Sequence, residues 1–326
     1  MMRRVFVPCI ALALLSGCGG TRAQFAPPAP APLQAASDPA QSWTSPDATS
    51  RYRLLYVTDP SDNIVYMLSL PTGKLVGRLS GFDQPLGDCV DKKGDVFVTD
   101  SQTHVVREFK HGAKVPVNVL DDHDYYPIGC AVDPVTGNLA VTNCCSTHNG
   151  PAPGDVAIYV HAKGQPKKYR DANVRQYGFC AYDDRGDLFI SGIKPPTDAP
   201  QIAELPHGEK NFKTISLNQD LGGNNVSALQ WDGTYLTVAS QSAAIIYRFR
   251  IAGSHGVEVS AVQLDRAAGV LGYWLDGSTL YAPVYSKDSI GSVNAYPYPS
   301  GGKASKIYYG AANPWAVTIS VRPSSR

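Results

Sequence analysis

The chain has 326 residues, 29 basic and 28 acidic side chains, a formal charge of +1, and 43% hydrophobic and 10% aromatic residues. This is enough for a large buried core, and a charge so close to balance lacks the Lys/Arg excess of a nucleic-acid-binding domain, so no nucleic-acid partner is expected. With 30 Gly, 25 Pro and 18 Tyr but only four glutamates (Glu108, Glu204, Glu209, Glu258), the composition favours short strands and turns over long helices.

Arg3 and Arg4 precede an apolar run, Val5 to Leu15, too short for the roughly 20 residues that cross a bilayer as a helix. It reads as the apolar core of a signal peptide. The run ends in Leu15-Ser16-Gly17-Cys18, which resembles the lipobox of bacterial lipoproteins. The resemblance implies that residues 1–17 are removed and that Cys18 is lipidated, tethering the chain to a membrane through acyl chains. The expected location is the bacterial cell envelope, lipid-anchored at the outer membrane or the periplasmic side; Gly19 stands where such lipoproteins carry an inner-membrane-retention aspartate. Residues 18–50, with Ala26-Pro27-Pro28-Ala29-Pro30-Ala31-Pro32, have little to bury and read as a disordered, Pro/Ala-rich linker.

From residue 51 to 326 one unit repeats. Gly87-Asp88-Cys89-Val90-Asp91, followed by Gly94-Asp95-Val96-Phe97-Val98-Thr99-Asp100, recurs as Gly129 to Asp133 with Gly137 to Asn143, and as Phe179 to Asp183 with Gly186 to Ser191. Weaker copies follow at Leu229 to Val238 and Tyr273 to Tyr281. The aligned aspartates 91, 133, 183, 232 and 276 recur at the spacing of a four-stranded propeller blade. In each unit a strand reverses at Asp plus Gly, because Asp caps its own backbone and Gly accepts positive φ. Returning strands near Leu54, Val96, Leu139, Leu188, Tyr235 and Leu280 predict an all-β, six-bladed β-propeller. Its ring is expected to close by pairing Leu54–Asp59 with the unpartnered Pro314–Val321, which removes the open sheet edges.

The Gly-x-x-Val-Asp and Gly-x-Leu/Val-x-Val-x-Asp pattern resembles NHL-repeat propellers and, more distantly, gluconolactonase-like propellers. The resemblance implies the fold and a channel-centred site, without one activity. The blades at 223–250 and 269–298 lack the Val-Asp and Thr-Asp pairs. The Glu-Gly-Pro segment of gluconolactonase-like enzymes is missing, and Glu108 and Glu204 fall on outward strand copies.

Where inner strands begin and second strands end, residues converge on the channel. This rim collects Asp59, Asp88, Asp100, Asn143, Asn225, Ser240 and Trp315. Such oxygens either hold one divalent cation such as Ca²⁺ or cap backbone amides of the following turns. Asp121-Asp122-His123-Asp124 reads as a solvated loop. Neither a zinc-type histidine spacing nor a nucleophile elbow is present.

Apart from Cys9 and Cys18, five cysteines remain: Cys89, Cys130, Cys144, Cys145 and Cys180. Cys89, Cys130 and Cys180 read as one repeat position on successive inner strands, either as small apolar wall residues or as disulfide partners. Cys144-Cys145 follows Asn143 at the channel face, where a strained vicinal disulfide is one option. The expectation is a binding or scaffold module acting through its channel mouth on a protein, glycan or small molecule; the alternative is a metal-dependent lactonase or lyase using the same channel.

Overall fold

The computed structural model describes residues 41–123, 125–147, 153–223, 228–240, 243–265, 267, 269–286 and 289–323. The expected signal peptide, Cys18 and most of the expected linker lie outside the described residues, as does Asn225. Among the described residues the only helices are two short 3-10 turns, Ala48–Ser50 and Val160–Ala162, and no helix is long and apolar enough to cross a membrane.

The strands run as antiparallel meanders. The first holds β1 (Trp43–Thr44), β2 (Arg53–Asp59), β3 (Ile64–Ser69) and β4 (Lys74–Leu79). The next two are β5 (Pro85–Val90), β6 (Val96–Asp100), β7 (Val105–Phe109) and β8 (Asn118–Asp121), then β9 (Tyr125–Val132), β10 (Leu139–Ser146), β11 (Pro153–Tyr159) and β12 (Lys167–Tyr169). They are followed by β13 (Gln176–Tyr182), β14 (Leu188–Lys194), β15 (Ala199–Leu205) and β16 (Lys213–Leu217), and by β17 (Leu229–Trp231), β18 (Leu236–Ala239), β19 (Ile245–Ala252) and β20 (His255–Gln263). The last meander is β21 (Trp274–Asp276), β22 (Thr279–Ser286), β23 (Ser289–Pro297) and β24 (Lys306–Tyr309), and β25 (Val317–Val321) ends the series.

These strands make five sheets. Three are single four-stranded meanders; an eight-stranded sheet joins β13–β16 to β17–β20 through a short parallel pairing of β16 with β20. The fifth has the order β1-β4-β3-β2-β25. There the two ends of the domain meet as expected, β2 pairing antiparallel with β25 from Arg53↔Val321 to Val57↔Val317. The arrangement is propeller-like: β25 lies beside β5, β5 beside β9, β9 beside β13, β13 beside β17, and β21 beside β25.

The turns between first and second strands follow the predicted chemistry. Asp91 Oδ1 accepts the Lys93 and Asp95 amides, Asp183 Oδ1 those of Arg185 and Asp187, and Asp232 Oδ1 those of Thr234 and Tyr235. Gly94 and Gly186 supply the positive φ that lets each chain reverse, at +80° and +86°.

The folded chain begins earlier than the composition implied. β1 pairs with β4 (Trp43↔Arg78, Thr44↔Gly77), and Ala48 is fully buried in a cluster with Leu54, Tyr56, Val76 and Phe109. Trp43–Thr44 therefore extend the first sheet and the 3-10 turn at Ala48 packs against its core, because Trp43 and Ala48 give this end of the segment something to bury.

Candidate functional site

The innermost strands enclose a cavity of about 200 Å³. All of β5, β9, β13, β17, β21 and β25 contribute to its lining. Residues such as Gly87, Gly129 and Gly272 mark one limit, and Val90, Val132, Tyr182, Trp231 and Leu275 the other. The cavity thus occupies the half of the channel in which the inner strands end, whereas the sequence pointed to the half in which they begin. Tyr182, Trp231 and Trp274 are half-buried in its wall. Glu108 and Glu204 sit on the third strands β7 and β15 and do not reach it.

Of the expected rim residues that are described, only Asp88 lines the cavity. It pairs across the ladder with Val98, and both carboxyl oxygens are buried without a hydrogen-bond partner. The backbone amides of Asp88 itself and of Thr318 are nearby, yet burial dominates and pushes the acid well above the usual carboxylate range. Burial thus favours the neutral form of this carboxyl in the wall between β25 and β5.

The other described rim residues are engaged locally. Asp59, fully buried, accepts the Ser61 and Asp62 amides on Oδ1 and the Asn313 amide on Oδ2. Asp100 accepts the Asp83 amide and a two-pronged contact from Arg107 Nε and Nη2 at 2.9 and 2.8 Å. Ser240 Oγ donates to the Leu221 carbonyl and accepts the Ala243 amide. Trp315 joins the ring closure through its backbone, its amide donating to Thr58 O and its carbonyl accepting from Gly272 N, while its indole Nε1 is buried without a partner. Capping of the following turn thus describes Asp59 and Ser240, whereas Asp100 accepts the amide of Asp83, ahead of β5, and the Arg107 side chain. Among the described residues no cluster of three or more His, Cys, Asp or Glu is arranged to hold a metal.

Asn143 enters a different group. Its Nδ2 donates to Asp155 Oδ1 at 2.7 Å, and Lys168 Nζ bonds Asp122 Oδ1 and lies 3.7 Å from Asp155 Oδ1. The Lys168 ammonium also stands 4.3 Å over the Tyr125 ring. Asp122 is fully buried, which corrects its reading as part of a solvated loop; Asp121 and His123 are exposed, and Asp124 lies outside the described residues. Burial raises Asp122 to about 6 in spite of Lys168 and Asn143, and raises Asp155 as well. The Lys168 side chain, on the outer strand β12, reaches the acid from the neighbouring meander and makes burial tolerable.

The cysteines correct the sequence register. Cys130 pairs with Val141 and Cys180 with Ile190, whereas Asp88, not Cys89, takes the equivalent place opposite Val98. Cys89 lies one residue further on, opposite Phe97, and so points to the other face of its sheet. That face meets the next meander, and Cys89 bonds Cys130 there, with Cα atoms 5.7 Å apart. Neighbouring inner strands are therefore within disulfide reach when the positions are offset by one. Cys180 repeats the setting of Cys130: its Sγ faces Ala140 O at 3.9 Å, as Cys130 Sγ faces Phe97 O at 3.8 Å. The place opposite Ala140 is held by Ala131, so Cys180 is a buried thiol, raised by desolvation.

One set of residues was missed in the sequence. Thr58, Thr99 and Thr142, on successive second strands, send Oγ1 to the Leu86, Ile128 and Gly178 carbonyls of the following meander, at 2.5, 3.1 and 2.6 Å. The signal was the Thr of each Thr-Asp or Thr-Asn pair. The close approach this demands leaves no room for a side chain at Gly129, whose Cβ would lie 2.7 Å from Gly178 O.

No protein-family model matches the chain, and no curated protein does. Among solved structures it is similar to a chain in the crystal structure of a nidogen/laminin complex, with TM-score 0.64 and 14% identity over 83% of this chain and 100% of that one. It is also similar to a protein of unknown function from Bacteroides caccae, with TM-score 0.60 and 11% identity over 83% and 99% of the two chains. At these identities the likeness concerns the fold alone, and together with the meander arrangement it makes this chain a β-propeller.

Proposed function

We propose that this chain is an exported, lipid-anchored, six-bladed propeller that acts as a binding or scaffold module, with the central channel as its contact site. The observation that carries the binding reading is the cavity to which every inner strand contributes and in whose wall Tyr182, Trp231 and Trp274 stand half-buried. Aromatic side chains that keep one face accessible are favoured contact residues in ligand and protein recognition. The six-blade count is supported by the cavity lining and by Gln230, which carries the ring from β17 to β21: its Nε2 donates to Tyr273 O at 2.6 Å and its Oε1 accepts the Leu275 amide at 2.9 Å. The NHL-like blade pattern agrees with it. Export and the anchor at Cys18 are supported by the signal-like N-terminus and lipobox. A protein partner is favoured by analogy with the neighbour found in a protein complex. The lactonase or lyase alternative needs Asp59 and Asp100 as metal ligands, and their oxygens are occupied by amides and by Arg107.

Photo-crosslinking tests the reading in the full chain expressed with its own leader. A crosslinking residue replacing Trp274, in the cavity wall, is expected to capture a partner or ligand that the same residue replacing Asn313, at the other end of the channel, does not. Capture from Asn313 alone, or from neither, contradicts the assignment. Loss of membrane retention in Cys18→Ala tests the anchor separately.

A further inference from the structure

We propose that Cys144 and Cys145 form a vicinal disulfide, a redox-modifiable site at the end of β10. In a regular strand adjacent side chains point to opposite faces, so their ends stay apart. Here the two Sγ atoms are 2.9 Å apart, well inside the contact distance of two non-bonded sulfurs. The backbone supplies the reason: the β9–β10 ladder shifts register between Thr142 and Asn143 and again between Asn143 and Ser146, so the cysteine pair lies within an irregular stretch. Adjacent Cα atoms are held about 3.8 Å apart by the peptide unit, closer than the roughly 4.4–6.8 Å of most disulfides. A vicinal bond therefore requires departure from regular strand geometry, and this segment provides it.

The other described cysteines are engaged elsewhere. Cys89 and Cys130 are bonded to each other, and Cys180 packs at the Ala131–Ala140 level between β9 and β13. Two disulfides plus the buried Cys180 thiol account for the odd number of cysteines beyond Cys18.

Closure is a thiol–disulfide exchange with a small or protein disulfide as oxidant. One thiolate attacks the oxidant's sulfur, forming a mixed disulfide and expelling one thiolate. The second cysteine thiolate then attacks the mixed disulfide, forming the Cys144–Cys145 bond and expelling the other. Two electrons pass to the oxidant, and the two thiol protons leave with its reduced halves. Export bears only on the oxidant's presence in the cell, so the test is made on purified protein.

The full chain is reduced under native conditions, incubated with glutathione disulfide, alkylated without further reduction, digested with trypsin and read by mass spectrometry. The Cys89–Cys130 bond joins peptide 79–92 to peptide 115–163 and serves as the internal standard. The expected result is that linked pair with no alkyl group and no glutathione on Cys144 or Cys145, and with both groups becoming alkylatable after reduction. Two alkyl groups on the otherwise linked pair, a lasting glutathione adduct, or a bond from either residue to Cys180 overturns the proposal. In Cys144→Ser, Cys145 is expected to become fully alkylated or glutathionylated; should that variant not fold, the wild-type peptide masses decide alone.

Discussion

From β2 to β16 the molecule joins successive meanders with one repeated device, while from β17 to β24 it uses residues found nowhere else in the repeat. In the first region Thr58, Thr99 and Thr142 cross to the next inner strand's carbonyl, and Cys89–Cys130 adds a covalent link between β5 and β9. In the second, Thr237 Oγ1 contacts Gln230 O and the Tyr273 hydroxyl, and Gln230 holds the edge of β21 at two points. The two solutions occupy comparable places. Gln230 lies one residue from the end of β17, as Cys89 lies one residue from the end of β5, and each reaches forward to the following inner strand. What the repeat preserves is thus the forward contact from one meander to the next, and its residue type is free to change.

Breaking the covalent link has the largest expected effect. Cys130→Ser removes a cross-link between residues 41 apart, and unfolding in denaturant is expected to show a loss of about 2–5 kcal/mol. Gln230→Ala, in the second region, abandons the Tyr273 carbonyl and the Leu275 amide and is expected to cost about 1–3 kcal/mol in the same assay. Thr142→Val keeps the side-chain shape and strands the Gly129 amide and a contact to Gly178 O; about 1–2 kcal/mol is expected. If Thr142→Val proved as costly as Cys130→Ser, the hydrogen bonds rather than the disulfide would dominate the first region.

The smallest effect depends on pH. Asp88 and Asp122 have folded pKa values raised above their ordinary value, Asp122 to about 6. The folded chain therefore binds more protons than the unfolded one above the ordinary carboxylate pKa, and these groups lower stability as pH rises through that window. His111 opposes them: burial and then Arg322 lower its pKa, in spite of the Arg51 carbonyl, so its contribution falls on acidification. Asp88→Asn removes one raised acid. Thermal unfolding is expected to show the variant more stable than wild type at pH 7.5, with the gain shrinking towards pH 4 as the carboxylate of the unfolded wild-type chain also takes up its proton. A gain that does not depend on pH would mean that Asp88 is not the titrating group.

Much of the fold was legible because it rests on short-range chemistry. The Asp-plus-Gly turns, the recurring aspartates and the unpaired strand at each end led to the meanders and to the β2–β25 closure. The site was less legible, since it depends on which way a side chain points. A shift of one residue between Cys89 and Cys130 reverses the face and turns two apparent equivalents into partners. Asp59 and Asp100 resembled cation ligands because amide capping and metal binding draw on the same oxygens. The position of the cavity at the far end of the channel, and the burial of Asp122 under Lys168, follow from packing between distant segments and leave no local mark.

The register of inner strands around the channel underlies the cavity, the disulfide and the ring closure alike. Ala131→Cys tests it directly, because Ala131 stands to Cys180 as Cys89 stands to Cys130. Peptide mapping of the oxidised variant is predicted to show a new bond from position 131 to Cys180 alongside the native Cys89–Cys130 link. A folded variant in which both residues remain alkylatable, or in which position 131 captures Cys89, would contradict the register and with it the account of how the meanders join.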